Sequence, residues 1–359
     1  METEKIFEIK FSGEETIVSA TLSNFDECVM LLSSGDVIRY NLLEQTGQHL
    51  FSVGSQIERS DGGFDIQAPS TIYTLDSIVV VVNDYKCQGF IHYPGHYNSL
   101  HLWREDYHAD ISRFPIALYK DLSGTPHIIY SVAWNHIQIM NLSTLQILTA
   151  AKSLIEEGAE ERHIAFYRNH TEGNKSPWPR PYDYFFGKLY MSPSQRKFLS
   201  AGWAWGSYDY YTIYEIQEFI TNNRISYQAV GGWEHENRTV CWINDATVIV
   251  TYNPYIEGDE NTTPETPNEI HFYNIGEKES ILEKRIAVKD INITNYTLYY
   301  DTALDVLIAL SFKEGVAILS LDGIILYRDQ YFKADEYYPA FRLFLKKGDR
   351  SISLFGIKS

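Results

Sequence analysis

The chain has 359 residues, 14% of them aromatic and only 21% charged, a balance that excludes a disordered or low-complexity protein. Its 30 Lys and Arg stand against 47 Asp and Glu, a net charge of −17. That charge argues against nucleic acid and against an anionic membrane surface, both of which select basic faces.

The opening segment METEKIFEIKFSGEE has no apolar run of signal-peptide type, so a cytoplasmic protein is expected. Within it, Ile6–Phe11 alternates as a strand but belongs to no hairpin of its own. Further strands are expected at Ile78–Asn83, His127–Ala133, Thr247–Asn253 and Val306–Ser311, all rich in Val, Ile, Tyr and Thr and bounded by turn residues. Helical periodicity is sparse. The best stretch is Thr149–Arg162, interrupted by Gly158.

A six-residue pattern (apolar, any, apolar, apolar or aromatic, small or polar, apolar) recurs through the chain. It reads IQIMNL at Ile137–Leu142, YTIYEI at Tyr211–Ile216, IHFYNI at Ile270–Ile275, VAILSL at Val316–Leu321 and ISLFGI at Ile352–Ile357. Looser copies are VIRYNL at Val37–Leu42 and LHLWRE at Leu100–Glu105. The seven copies recur roughly every fifty residues, the period of a three- or four-stranded propeller blade. In this reading each copy is strand c of a blade.

These units resemble WD-repeat blades, in which strand c typically ends in Trp-Asp. Here Tyr40-Asn41, Trp103-Arg104, Met140-Asn141, Tyr214-Glu215, Tyr273-Asn274 and Leu319-Ser320 occupy that place, and no Trp-Asp pair occurs. Ser192–Trp203 (SPSQRKFLSAGW) also resembles the turn and strand that open many such blades. The resemblance implies an all-β fold. What it implies is a seven-bladed, divergent WD-like propeller expected to form a single domain over residues 1–359, six or eight blades being the alternatives. Only two residues follow Ile357, so the seventh blade lacks an outer strand. The N-terminal strand is expected to supply it by pairing with Ser351–Ile357, because an open array would leave exposed edges.

Long connections are expected at residues 85–98, 155–184, 203–209 and 254–268, all opening on the face that carries the b–c and d–a loops. Loops on a rigid scaffold are where binding groups concentrate. These carry Tyr85, Tyr93, His96, Tyr97, Trp178, Trp203, Trp205 and Tyr255, the residue types that anchor interfaces, and they are the expected partner-binding residues. Trp178 lies between Pro177 and Pro179, in a stiff extended segment.

No catalytic residue is assigned. The chain has no G-x-S-x-G, G-x-G-x-x-G, Walker A or H-E-x-x-H motif, and no cofactor is expected. His92, His96, His101 and His108 are close in sequence, and the first three are the best metal candidates, but their spacing fits no tight motif, so no metal is expected. Glu257, Asp259, Glu260 and Glu265 lack calcium-loop spacing. Cys28, Cys87 and Cys241 form no CxxC pair and no disulfide framework.

The expected function is a non-catalytic scaffold that docks a protein partner on its insertion-bearing face. One specific form is an acidic antagonist, such as an immunity protein neutralising a basic partner. The alternative is a metal-assisted hydrolase or lyase with its site at the central channel mouth. No feature of the sequence fixes an oligomeric state.

Overall fold

A computed structural model describes residues 2–11, 13–53, 63–168, 179–234, 238–255, 262–263, 265–277 and 279–358. The fold is a seven-bladed β-propeller of small antiparallel sheets, as the repeat predicts. The blades span residues 17–52, 70–103, 116–141, 185–234, 240–288, 297–329 and 336–358. Blade three has three strands. Blade seven borrows its fourth from the N-terminus. There Glu2–Lys10 runs antiparallel to Ser351–Lys358, from Glu2 opposite Lys358 to Lys10 opposite Ser351. The expected closure is therefore present.

By compactness the chain divides into Met1–Trp103 with Asn237–Ser359, and Arg104–Glu236. In the first unit the stacking of blades follows from the two-residue period of a strand, which sends alternate side chains to opposite faces. Strand b of blade six, Val306–Ser311, is buried throughout. Its Leu307 and Ala309 pack with Ile249 and Ile270 of blade five. Its Val306, Ile308 and Leu310 pack with Tyr337 and Phe344 of blade seven. In blade one, Cys28 and Met30 likewise meet Leu343 and Ile352 of blade seven, while Val29 and Leu31 meet Val79 and Val81 of blade two. Runs such as IVVVV are thus buried on both faces. All three cysteines are buried and free, and burial pushes the Cys28 thiol up to about 12.

Blade two corrects the sequence reading. Residues 85–98 are not an insertion. Gln88–Tyr93 is strand c, joined by tight turns to Ile78–Asn83 and to Tyr97–Trp103, which is strand d. The hexad LHLWRE therefore marks the outer strand of this blade, whose alternation it fits equally well. Gly89 is what lets strand c sit there, since a Cβ at that position would lie 2.6 Å from Val82 Cγ1. Residues 203–209 likewise hold only the turn between Lys197–Ala204 and Tyr208–Glu215.

The second unit comprises blades three and four and, among the described residues, two helices. The first helix, α1, runs Ala159–Arg168 and starts after Gly158, where φ is 73°, instead of being broken by it. The second, α2, runs Ile216–Thr221 and separates strands c and d of blade four. The Glu215 carboxylate caps it, accepting the Glu218 N–H at 2.6 Å. Among the described residues no helix is long and apolar enough to cross a membrane.

Candidate functional site

The expected docking residues do not share one face. Tyr85 lies in the b–c turn of blade two, whereas Tyr93, His96 and Tyr97 lie at its c–d turn, the opposite end of strand c. At that turn Tyr93 and His96 stack at 4.1 Å, and Tyr97 meets Tyr93 edge-on at 6.0 Å. Burial, then the neighbouring Tyr93, pushes the Tyr97 hydroxyl up to about 12. Tyr255 is half-buried beside Asn253, whose side chain accepts its N–H at 3.0 Å. Trp178 and the acidic residues Glu257, Asp259 and Glu260 lie outside the described residues.

The histidines are dispersed. His92 is buried, stacks on Phe51 at 5.3 Å and sets Nδ1 2.6 Å from the Asn98 carbonyl. His101 pairs with Gln88. Among the described residues no group of three or more His, Cys, Asp or Glu side chains is arranged to hold a metal.

Trp203 and Trp205 belong to a dense aromatic platform at the b–c and d–a end of blades three and four, inside the second unit. Its floor is Phe185, on the first strand of blade four and fully buried. Phe185 faces Trp203 across the sheet, and the two rings stack at 3.7 Å with a 6° tilt. Close approach of the backbones makes this pairing possible. At Gly202 an added Cβ would lie 2.1 Å from the Phe185 carbonyl oxygen and against the Tyr184 ring, so only glycine fits.

Above the floor stand Tyr107, Trp134 and Trp205. Their centroids are 6.0 Å apart for Tyr107 and Trp134 and 6.4 Å for each of the other pairs, with interplanar angles of 59–65°. Each also touches Phe185, at 6.3, 4.4 and 5.0 Å respectively. These stacked, tilted and edge-to-face ring pairs add to the area term. Tyr107 and Trp205 remain 47% and 46% exposed, and neighbouring Ile111 58%.

The platform is held rigidly. The segment that carries Tyr107 turns at His108, whose φ is 54° and whose carbonyl accepts the Ser112 N–H at 3.0 Å. The buried Arg104 clamps this turn, donating from Nη2 to the Ala109 and Ser112 carbonyls at 3.1 and 2.7 Å while its guanidinium lies 4.7 Å over Phe114. Trp203 Nε1 donates to Ser112 Oγ at 2.9 Å, which ties the turn to the sheet. His108 packs edge-on against Phe185, Trp203 and Trp205, so its place is among the rings. Trp134 is fixed by its neighbours: its carbonyl accepts the Phe186 N–H at 3.0 Å, and Asn135 Nδ2 donates to the Tyr182 carbonyl at 2.8 Å. The turn exposes Glu105, Asp106 and Asp110, while Arg104 is buried and Arg113, just after Ser112, is only partly exposed.

Sequence reasoning finds Trp203 and Trp205 but misses Tyr107, Trp134 and Phe185. The available signal is Tyr107 and Trp134 standing at turn positions, where Gly, Asn or Asp normally serve.

No protein-family model matches the chain, and no curated protein matches it either. Solved structures do. The WD40 domain of Pan2 from Neurospora crassa superposes with a TM-score of 0.55 at 7% identity, over 99% of this chain and 96% of that one. At that identity the likeness is one of fold alone, a propeller of the WD40 type.

Proposed function

We propose that this WD40-type propeller is a non-catalytic binding module that docks a basic segment of a partner protein on the aromatic end of blades three and four. One observation carries the reading: Tyr107, Trp134 and Trp205 stand exposed or half-exposed on a floor and a turn that are themselves locked. Preorganised aromatics lose little entropy on binding, and Trp and Tyr dominate interface energetics. Aromatic faces attract guanidinium and ammonium groups. The carboxylates of Glu105, Asp106 and Asp110 favour the same partner, and the net charge of −17 would speed its approach. An acidic antagonist of a basic protein is the specific form this suggests.

The test is capture from the source cells with the wild-type chain and with a Tyr107→Ala/Trp205→Ala double variant of unchanged melting temperature. The wild type should retain a basic protein that salt releases. The variant should bind it at least ~30-fold more weakly, the loss of two anchors of an interface. Equal retention by both proteins, or an acidic partner, refutes the assignment.

A further inference from the structure

At the opposite end of blades three and four, still within the second unit, lies a pocket of about 630 Å3. That is the size of a small-molecule site. It is framed by the a–b turns of both blades, by Leu148 and by α2.

Two deeply set polar groups open onto it. Tyr119 and His127 are opposite each other in the sheet, each 3% exposed, with rings stacked at 5.0 Å and 18°. His127 Nδ1 lies 2.9 Å from the Thr125 carbonyl oxygen, so Nδ1 carries the proton and donates it. Nε2 then keeps its lone pair. Neither that nitrogen nor the Tyr119 hydroxyl has a hydrogen-bond partner among the described residues, and neither is sealed from the pocket. Polar groups this deeply set are normally paired with protein or with water, so an acceptor and a donor side by side, free of protein partners and reachable from the pocket, offer a ligand a complementary pair in place of water.

The rest of the lining sets the ligand's character. Leu122, Leu148, Ile216 and Ile220 give an apolar wall, and Leu122 is 92% exposed. The charged lining residues balance, with Lys120 and Arg196 against Asp121 and Glu215. Both carboxylates are engaged. Asp121 accepts the N–H groups of Ser123 and Thr125 at 2.8 and 2.9 Å, and Glu215 caps α2. Nothing in this balance selects an ion.

We infer that this pocket binds a small neutral ligand with an apolar body and an amide-type head. The head's N–H donates to His127 Nε2, and its carbonyl oxygen accepts from the Tyr119 hydroxyl. The site is independent of the aromatic platform.

Four probes of similar shape test this on the full chain: benzamide, benzoate, benzylamine and ethylbenzene. Benzamide should bind in the millimolar range, about tenfold more tightly than the others, the worth of one net hydrogen bond. It should also shift the 15N resonance of His127 Nε2 in the wild-type protein, a readout that needs no variant. Tyr119→Phe and His127→Phe should each weaken benzamide about tenfold, whereas Trp205→Ala should leave it unchanged. Benzoate, benzylamine or ethylbenzene binding as tightly as benzamide overturns the inference. So does folded Tyr119→Phe binding benzamide like the wild type, or no benzamide binding up to about 50 mM, where even a weak fragment should register.

Discussion

The layer beneath the aromatic platform contains Tyr182, Tyr184, Phe186, Phe198, Tyr214 and Phe219, while the layer shared by blades five and six contains Ile249, Ile270, Ile293, Leu298, Leu307 and Leu319. Both bury apolar area, but the second holds a single buried tyrosine, Tyr296, whose hydroxyl donates to Glu314 at 3.2 Å, whereas the first holds several buried hydroxyls that must be matched to one another and to the backbone. The single hydroxyl proton of Tyr184 is shared between the carbonyls of Ser200 and Tyr210, at 3.0 and 2.9 Å. Tyr182 and Tyr214 join their hydroxyls at 2.8 Å, and Thr212 donates to Tyr214 at 3.0 Å. An aliphatic layer is held by area and accepts swaps that conserve volume. The tyrosine layer is held by area and by direction, so each ring has one permitted place. A surface built on such a layer inherits its rigidity, which is what an aromatic docking platform needs.

The difference predicts unequal tolerance to mutation. The largest effect should come from Gly202→Ala, because the new Cβ meets the Phe185 carbonyl and the Tyr184 ring, and neither can yield without disturbing the layer. A loss of about 3 kcal/mol is expected, against roughly 1 kcal/mol for Ile249→Val in the aliphatic layer. Urea midpoints of the two variants measure this, and equal midpoints would erase the distinction. A smaller effect should follow Tyr184→Phe. That change keeps the ring but strips the Ser200 and Tyr210 carbonyls of a donor, for about 1–2 kcal/mol. If Tyr184→Phe is as stable as wild type, the hydroxyls contribute nothing and the two layers are equivalent.

How much of this was readable depends on which force places each residue. Ile78–Asn83 and Val306–Ser311 are strands over the expected residues, because burial on both faces writes an unbroken apolar run. The closing strand was readable for a related reason: Ile6–Phe11 alternates with no partner nearby in sequence. Six of the seven hexads lie on strand c, and blade two fails because Leu100–Trp103 alternates on an outer strand while the true strand c, QGFIHY, begins at a polar residue and a glycine. The platform was half readable. Trp203 and Trp205 are aromatic in any register, but Phe185 reads as an ordinary strand residue, and its stacking on Trp203 comes from a pairing between separate strands. The pocket was invisible, since His127 and Tyr119 meet only once blade three is folded.

The smallest expected effect is a pH dependence that links the tyrosine layer to α2. Lys152 Nζ donates to the carbonyls of Asn222 and Arg224 at 2.8 and 3.1 Å, and it lies 4.1 Å over the Phe219 ring. Burial pulls its pKa from 10.5 down to about 8, with the Glu218 carboxylate pulling the other way. Above pH ~8 the native lysine releases a proton that the unfolded chain still holds, so stability should rise with pH until the unfolded lysine also titrates. Burial pushes the hydroxyls of Tyr182, Tyr184 and Tyr214 up, so near pH ~10 the unfolded chain ionises tyrosines that the native layer keeps neutral, and stability should fall. Lys152→Met keeps the stem on Phe219 but removes the lysine titration. Urea midpoints of wild type minus variant between pH 7.5 and 10.5 should therefore rise by a few tenths of a kcal/mol, reflecting a half-exposed amine whose electrostatics are partly screened. The alkaline fall should remain in both proteins. A flat difference would detach Lys152 from the layer and leave the tyrosines alone to set its pH response.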